Sequence, residues 1–225
     1  LKLKLMKAKK IIYLILFTVL ILGSESYAQN SNDLCNLDKS KMIPLRDAKY
    51  RKYQYTANLE GSAIKKSVDS NGKNIPYGIH FDTGSWTTSV PGDALNWSNV
   101  KILEKNIKDP WGKLADKVSG QFILKSEDGT QYVIDDYIFY ATKKDENTYL
   151  PDDRTSVYGN GSIMGAFPSL QPGDKLPSLP YAIAKKYSPN NLGFGIVSNC
   201  LDNIQTDWDS FKSYLQIGIS SNVAK

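Results

Sequence analysis

Histidine occurs once in the 225 residues, as His80, and cysteine twice, as Cys35 and Cys200. That scarcity removes several chemistries at once. A Ser-His-Asp triad would have to run through His80, and no Gly-x-Ser-x-Gly nucleophile elbow accompanies it. One histidine and two distant cysteines form no zinc or transition-metal ligand set. Asp135-Asp136, Asp152-Asp153 and Asp202/Asp207/Asp209 are too sparse for a calcium loop and read as solvated loop or strand-edge charges. No metal and no cofactor is therefore expected. Self-similarity at the periods of solenoid repeats is absent, and helical periodicity is scarce.

Long apolar runs are missing too, with one exception near the start. Lys7, Lys9 and Lys10 precede Ile11 to Leu22, an almost unbroken apolar stretch, and Ser26-Tyr27-Ala28 offers small residues where a signal peptidase reads. Residues 1–28 read as a signal peptide, since the run is shorter than a bilayer-spanning helix needs. The chain opens with Leu1, so Met6 is the expected start. Setting residues 1–28 aside removes five lysines and one glutamate, which takes the formal charge from +5 to +1. Bases and acids are interspersed in the remainder, so neither nucleic acid nor an anionic membrane is an expected partner. The expectation is a protein exported to the periplasm or secreted, with no membrane attachment after cleavage. The remaining 197 residues suffice for one sizeable core, or at most two small domains.

An even cysteine count in an exported chain favours a Cys35–Cys200 disulfide over two buried thiols. Closing those 165 positions would contribute at most about 5 kcal/mol on the loop-entropy account. Cys35 follows Leu34 and lies past the expected cleavage, which argues against a lipoprotein anchor.

Residues 29–49 are polar and aperiodic and read as an N-terminal arm or linker. From 50 to 225 the pattern is that of one strand-rich domain. Tyr53, Tyr55, Ala57 and Leu59 alternate with Lys52, Gln54, Thr56 and Asn58, the period of a half-buried strand. Further strands are expected at Tyr77–Phe81, Gly120–Lys125, Gln131–Tyr140, Leu192–Ser198 and Ser213–Ile219. Glu127-Asp128-Gly129 marks a hairpin turn between the second and third of these. Pro180–Lys186 is the best helix, with proline in its first turn, lysines in its last and Pro189 beyond. The fold class is mostly β with one or two short helices.

Chemistry concentrates at Phe81-Asp82-Thr83-Gly84-Ser85, followed by Val90-Pro91. An apolar strand delivers a carboxylate into a tight turn, where Gly84 permits close backbone approach and Thr83 and Ser85 can hydrogen-bond locally. Such a turn holds a carboxylate rigidly. This sequence, including the spacing from Asp to Val-Pro, resembles the first active-site loop of pepsin-like aspartic proteases. Downstream, Ile163-Met164-Gly165 within Ser162–Leu170 looks like the family's apolar-apolar-Gly segment. The resemblance covers about residues 50–220, by motif at these two places and by element order elsewhere.

The resemblance implies a single acid-protease lobe, a β-barrel, with Asp82 as a catalytic carboxylate and Ile163 and Met164 packed beneath its turn. Tyr158-Gly159-Asn160-Gly161-Ser162 has the outward form of a flap tip but overlaps the apolar-apolar-Gly segment. The hairpin around Trp111–Gly120 is the better flap, with Val118–Phe122 returning and Trp111 where the family places a tyrosine; a core role for Trp111 is the alternative. Aspartic proteases need two carboxylates facing one water, and only one Asp-Thr-Gly is present. A homodimer contributing one Asp82 per copy, an incomplete chain, or a lobe that has lost catalysis each accounts for this. The expected function is aspartic endopeptidase action on peptides or proteins. The alternative is an inactive lobe that binds proteins or glycans.

The mature protein should begin near Gln29 and carry the Cys35–Cys200 bridge. Intact mass after N-terminal sequencing should fall two hydrogens below the reduced form, and a free-thiol titre of two would exclude the bridge.

Overall fold

The computed structural model describes residues 38–48, 51–82, 85, 87–152, 154, 162–165, 176–198 and 213–219, all within the unit Leu37–Lys225. Ten strands form one mixed sheet: β1 (Met42–Ala48), β2 (Arg51–Leu59), β3 (Tyr77–Asp82), β4 (Ser89–Pro91), β5 (Val100–Lys108), β6 (Leu114–Lys125), β7 (Gln131–Thr142), β8 (Ile163–Gly165), β9 (Gly193–Ser198) and β10 (Ser213–Ile219). Their spatial order is β5-β6-β7-β4-β8-β3-β2-β1-β10-β9. Two pairings, β3 with β8 and β4 with β7, are parallel. The helix among the described residues is α1 (Leu179–Tyr187), and none is long and apolar enough to cross a membrane.

The strand patterns explain the elements. β3 alternates buried and half-buried residues, sending Tyr77, Ile79 and Phe81 inward and Gly78, His80 and Asp82 to the other face. β6 does the same with Val118, Phe122 and Leu124 inward. The β6–β7 hairpin closes where the Glu-Asp-Gly signal stands. Gly129 takes φ 90°, and Asp128 Oδ1 accepts from the Ser126 hydroxyl at 2.6 Å and the Thr130 N–H at 2.9 Å. α1 starts at Ser178, whose hydroxyl accepts from the Tyr181 N–H, with Pro180 in the first turn, and it buries Leu179 and Ile183 one turn apart.

One core takes residues from both halves of the sheet and from the helix. Ile43, Leu59, Ile79, Phe122, Phe139, Met164, Ile183 and Leu215 are all essentially inaccessible. Phe122 packs on Phe139 with ring centroids 4.5 Å apart. α1 also covers part of β7 that β4 leaves open, because β4 pairs with β7 only from Tyr140 to Thr142. The Tyr187 hydroxyl accepts from the Val133 N–H at 2.8 Å and donates to the Val133 carbonyl at 3.1 Å.

Two expectations are corrected. The sheet curls but does not close into a barrel: β5 and β9 remain its ends. The two halves are bridged where Glu60 and Ile123 exchange N–H···O bonds of 2.9 and 2.8 Å. The chain then turns away at Gly61, whose φ of 121° and close approach to the Gln121 carbonyl admit no side chain. The polar arm 29–49 is also not wholly an arm, because Met42–Ala48 forms β1 between β2 and β10 with Met42, Ile43 and Leu45 buried. Pro44 obscures that strand in the sequence. It is tolerated because the β2 register begins only at Leu45.

Met164→Asp should prevent folding, since it buries an uncompensated carboxylate at a position with no accessible surface. Met164→Leu should cost less than about 1.5 kcal/mol. Circular dichroism and urea unfolding of both variants test this, and a stable Met164→Asp protein would contradict the packing.

Candidate active site

Asp82 is the last residue of β3 and lies on its half-buried face. Parallel pairing with β8 sets Phe81 beside Met164 and Asp82 beside Gly165. β8 also meets β4, with Ser89 opposite Ile163, so the turn after Asp82 begins and ends against this one short strand. The Gly165 N–H donates to the Thr87 carbonyl at 3.1 Å, and the His80 N–H to the Ser162 carbonyl at 3.3 Å. Ser162, just before β8, is itself buried, and its hydroxyl contacts that of Tyr77.

Within the turn, the Ser85 N–H donates to the Asp82 carbonyl at 3.3 Å. The Ser85 hydroxyl donates to Asp82 Oδ2 at 2.6 Å, a short bond that fixes the rotation of the carboxyl. The expected contributors Asp82, Ser85, Ile163, Met164 and Gly165 are thus brought together; Thr83 and Gly84 lie outside the described residues. So do Cys35, Cys200 and residues 158–161.

Trp111 sits exposed in the turn between β5 and β6, where Asp109 Oδ1 accepts from the Trp111 and Lys113 N–H groups at 3.0 and 2.8 Å. Gly120 lies in mid-strand on β6, opposite Tyr137 of β7. A Cβ there would stand 2.8 Å from that of Ala63, so its lack of a side chain serves packing rather than a turn. His80 lies on the same face of β3 as Asp82 and hydrogen-bonds the Thr56 hydroxyl through Nδ1 at 3.0 Å. Among the described residues no group of three or more His, Cys, Asp or Glu is placed to hold a metal ion.

Sequence reasoning missed a tether under the turn. Thr88 and Tyr137 are both buried and their hydroxyls lie 2.8 Å apart. Tyr137 has one proton, which goes to the Pro177 carbonyl at 3.0 Å, so Thr88 is the donor to Tyr137. Burial pushes the Tyr137 phenol well up, against the smaller opposing effect of Thr88, and keeps it neutral. The tether joins the Asp82 turn to the start of α1. Three successive hydroxyl residues, Thr87-Thr88-Ser89, between the turn and Val-Pro were the available signal.

No protein-family model matches the chain, and no curated protein is significantly similar to it. Among solved structures, the crystal structure of basic 7S globulin from soybean is similar at 11% identity and a TM-score of 0.46, over 80% of this chain and 52% of that one. The chain spans about half the length of that structure.

Tyr137→Phe should keep the aromatic packing but leave the Thr88 hydroxyl and the Pro177 carbonyl without their partner, costing about 1–3 kcal/mol. Adding Thr88→Val should recover part of that loss in urea unfolding. A Tyr137→Phe protein as stable as wild type would dismiss the tether.

Proposed function

We propose that this chain is one lobe of an aspartic endopeptidase, exported and then active as a homodimer in which each copy contributes one Asp82. The observation that carries the reading is Asp82 at the end of an apolar strand, braced by parallel β8, with its carboxyl held by Ser85 at 2.6 Å. The sequence around it, Phe-Asp-Thr-Gly-Ser with Val-Pro following, supports the same chemistry. The proposed catalytic domain takes in β1 as well as residues 50–225.

Two carboxylates confined around one water cannot easily both ionise, so the pair holds a single proton. The ionised member takes a proton from the water as the water oxygen attacks the peptide carbonyl. The protonated member donates toward the developing oxyanion and then supplies the proton that lets the amine leave. Titration belongs to the pair, so activity should peak in acid and fail once both carboxyls ionise. A two-fold axis through the Asp82 turns would create this arrangement from two identical halves.

Asp82→Asn should abolish cleavage of a peptide library while leaving fold and dimer intact. When wild-type and Asp82→Asn subunits are mixed and allowed to exchange, activity should fall as the square of the wild-type fraction, because each mixed dimer holds half a pair. Linear loss would place both catalytic groups in one chain. A monomeric wild-type protein that cleaves nothing from acid to neutral pH would leave the lobe as a binding module for proteins or glycans.

A further inference from the structure

Strand β5, the outer strand of the β5–β6 hairpin, is held down by little apolar burial, whereas β6 sends Val118, Phe122 and Leu124 into the core and pairs with β7 along its length. Every side chain of β5 is exposed apart from half-buried Val100 and Ile107. The register with β6 slips twice along it, and Asn106 adopts φ 53°, a conformation unfavourable for a residue with a side chain. At that point lies a buried polar cluster that the Asp82 chemistry does not use. Asp116 of β6 is 1% exposed, and the Lys143 side chain, just past β7, is 5% exposed.

Every connection in the cluster runs between different pieces of chain. Asp116 Oδ1 accepts from the Asn106 N–H at 2.8 Å and lies 3.4 Å from Lys143 Nζ. Asp116 Oδ2 accepts from the Tyr149 hydroxyl at 2.7 Å. Lys143 Nζ donates to Asn106 Oδ1 at 2.6 Å and stands over the Tyr149 ring, which Trp97 stacks from 4.5 Å. The strained Asn106 is thus bonded through both its backbone and its side chain to one buried ion pair.

We propose that this cluster is a latch that docks β5 on β6 while Asp116 is ionised and releases β5, with the rest of the fold intact, when Asp116 takes a proton. Protonation leaves Lys143 a buried ammonium without its counter-charge, which is strongly unfavourable. Lifting β5 withdraws Asn106 and opens Lys143 to water, and β5 has little apolar surface to lose in doing so. Such local opening is easier than global unfolding.

The sign of the pH effect follows from the contacts. Burial works against the Asp116 charge, but the Tyr149 hydroxyl, the Asn106 N–H and Lys143 outweigh it and hold the carboxyl below its ordinary 3.8. A depressed folded-state value means the stabilisation is fully present above the ordinary value and is lost as pH falls through the folded one. The latch therefore stays shut through mild acid. Tyr149 is pushed up, chiefly by burial and then by Asp116, and remains neutral throughout. The hairpin's other charges include Glu104, paired with Lys117 at 2.8 Å, and Asp109 in the turn.

Hydrogen exchange of the whole protein from neutral pH to about pH 2.5, corrected for intrinsic rates, tests the latch independently of any Asp82 activity. β5 amides should gain on the order of tenfold or more in opening below the ordinary carboxylate range, while β3, β7 and β10 stay protected. Asp116→Asn should open β5 at neutral pH and abolish its acid response. Asp116→Asn with Lys143→Met removes both charges and should keep β5 docked at every pH, and this variant carries the test if the single one does not fold. β5 and core losing protection together, or acid release persisting in the double variant, would overturn the latch.

Discussion

A strand of three residues, Ile163–Gly165, joins the two halves of this sheet. β5, β6, β7 and β4 lie on one side of it and β3, β2, β1, β10 and β9 on the other. Parallel pairing with β3 cannot be made by a tight turn and needs a long connection, here one that returns after eight intervening tens of residues of other strands and loops have been placed. Met164 secures the return by burying its whole side chain in the core beside Phe81. Apart from the Glu60–Ile123 bridge, the seam at β8 is what makes the described strands one sheet.

Asp82 belongs to that seam. The residue before it points into the core, the next turn comes back to meet the same strand, and the polar groups needed to complete the turn are buried there. Ser85, Thr88 and Ser162 are all almost inaccessible, and each of their hydroxyls has a hydrogen-bond partner. In a low-dielectric interior, hydroxyls that find partners hold their surroundings in one geometry, because losing a partner is costly. The attachment of β5 works differently. There a charged pair stands in for apolar burial, and in the proposed latch its hold depends on protonation in a way that the hydroxyl tether does not.

Much of the fold was legible in the residues. Alternation in Tyr53–Leu59 and Tyr77–Phe81 marked β2 and β3, Glu127-Asp128-Gly129 marked a hairpin, and Pro180 with Lys185 and Lys186 marked α1. These are local signals, set by side-chain period and turn chemistry, and they survive without tertiary context. β1 was hidden because Met42, Ile43 and Leu45 are too few and Pro44 interrupts them. Its burial is conferred by β2 and β10, which lie elsewhere in the sequence. The open sheet was hidden for the same kind of reason, since closure depends on which strands end at the edges.

At the candidate site, the residues around Asp82 singled out one carboxylate through their resemblance to a family loop, and the resemblance of Ile163-Met164-Gly165 to a second family segment led to the expectation that Ile163 and Met164 pack beneath its turn. Which oxygen Ser85 holds, and that Thr88 leans on Tyr137 and Pro177, were decided by the packing of β4, β7 and the start of α1. Nor could pattern alone distinguish Asp116 and Lys143 from the many solvated charges of the chain. A charge is written in the sequence, but whether it is dry, and what it must therefore hold, depends on the neighbours that only the folded chain supplies.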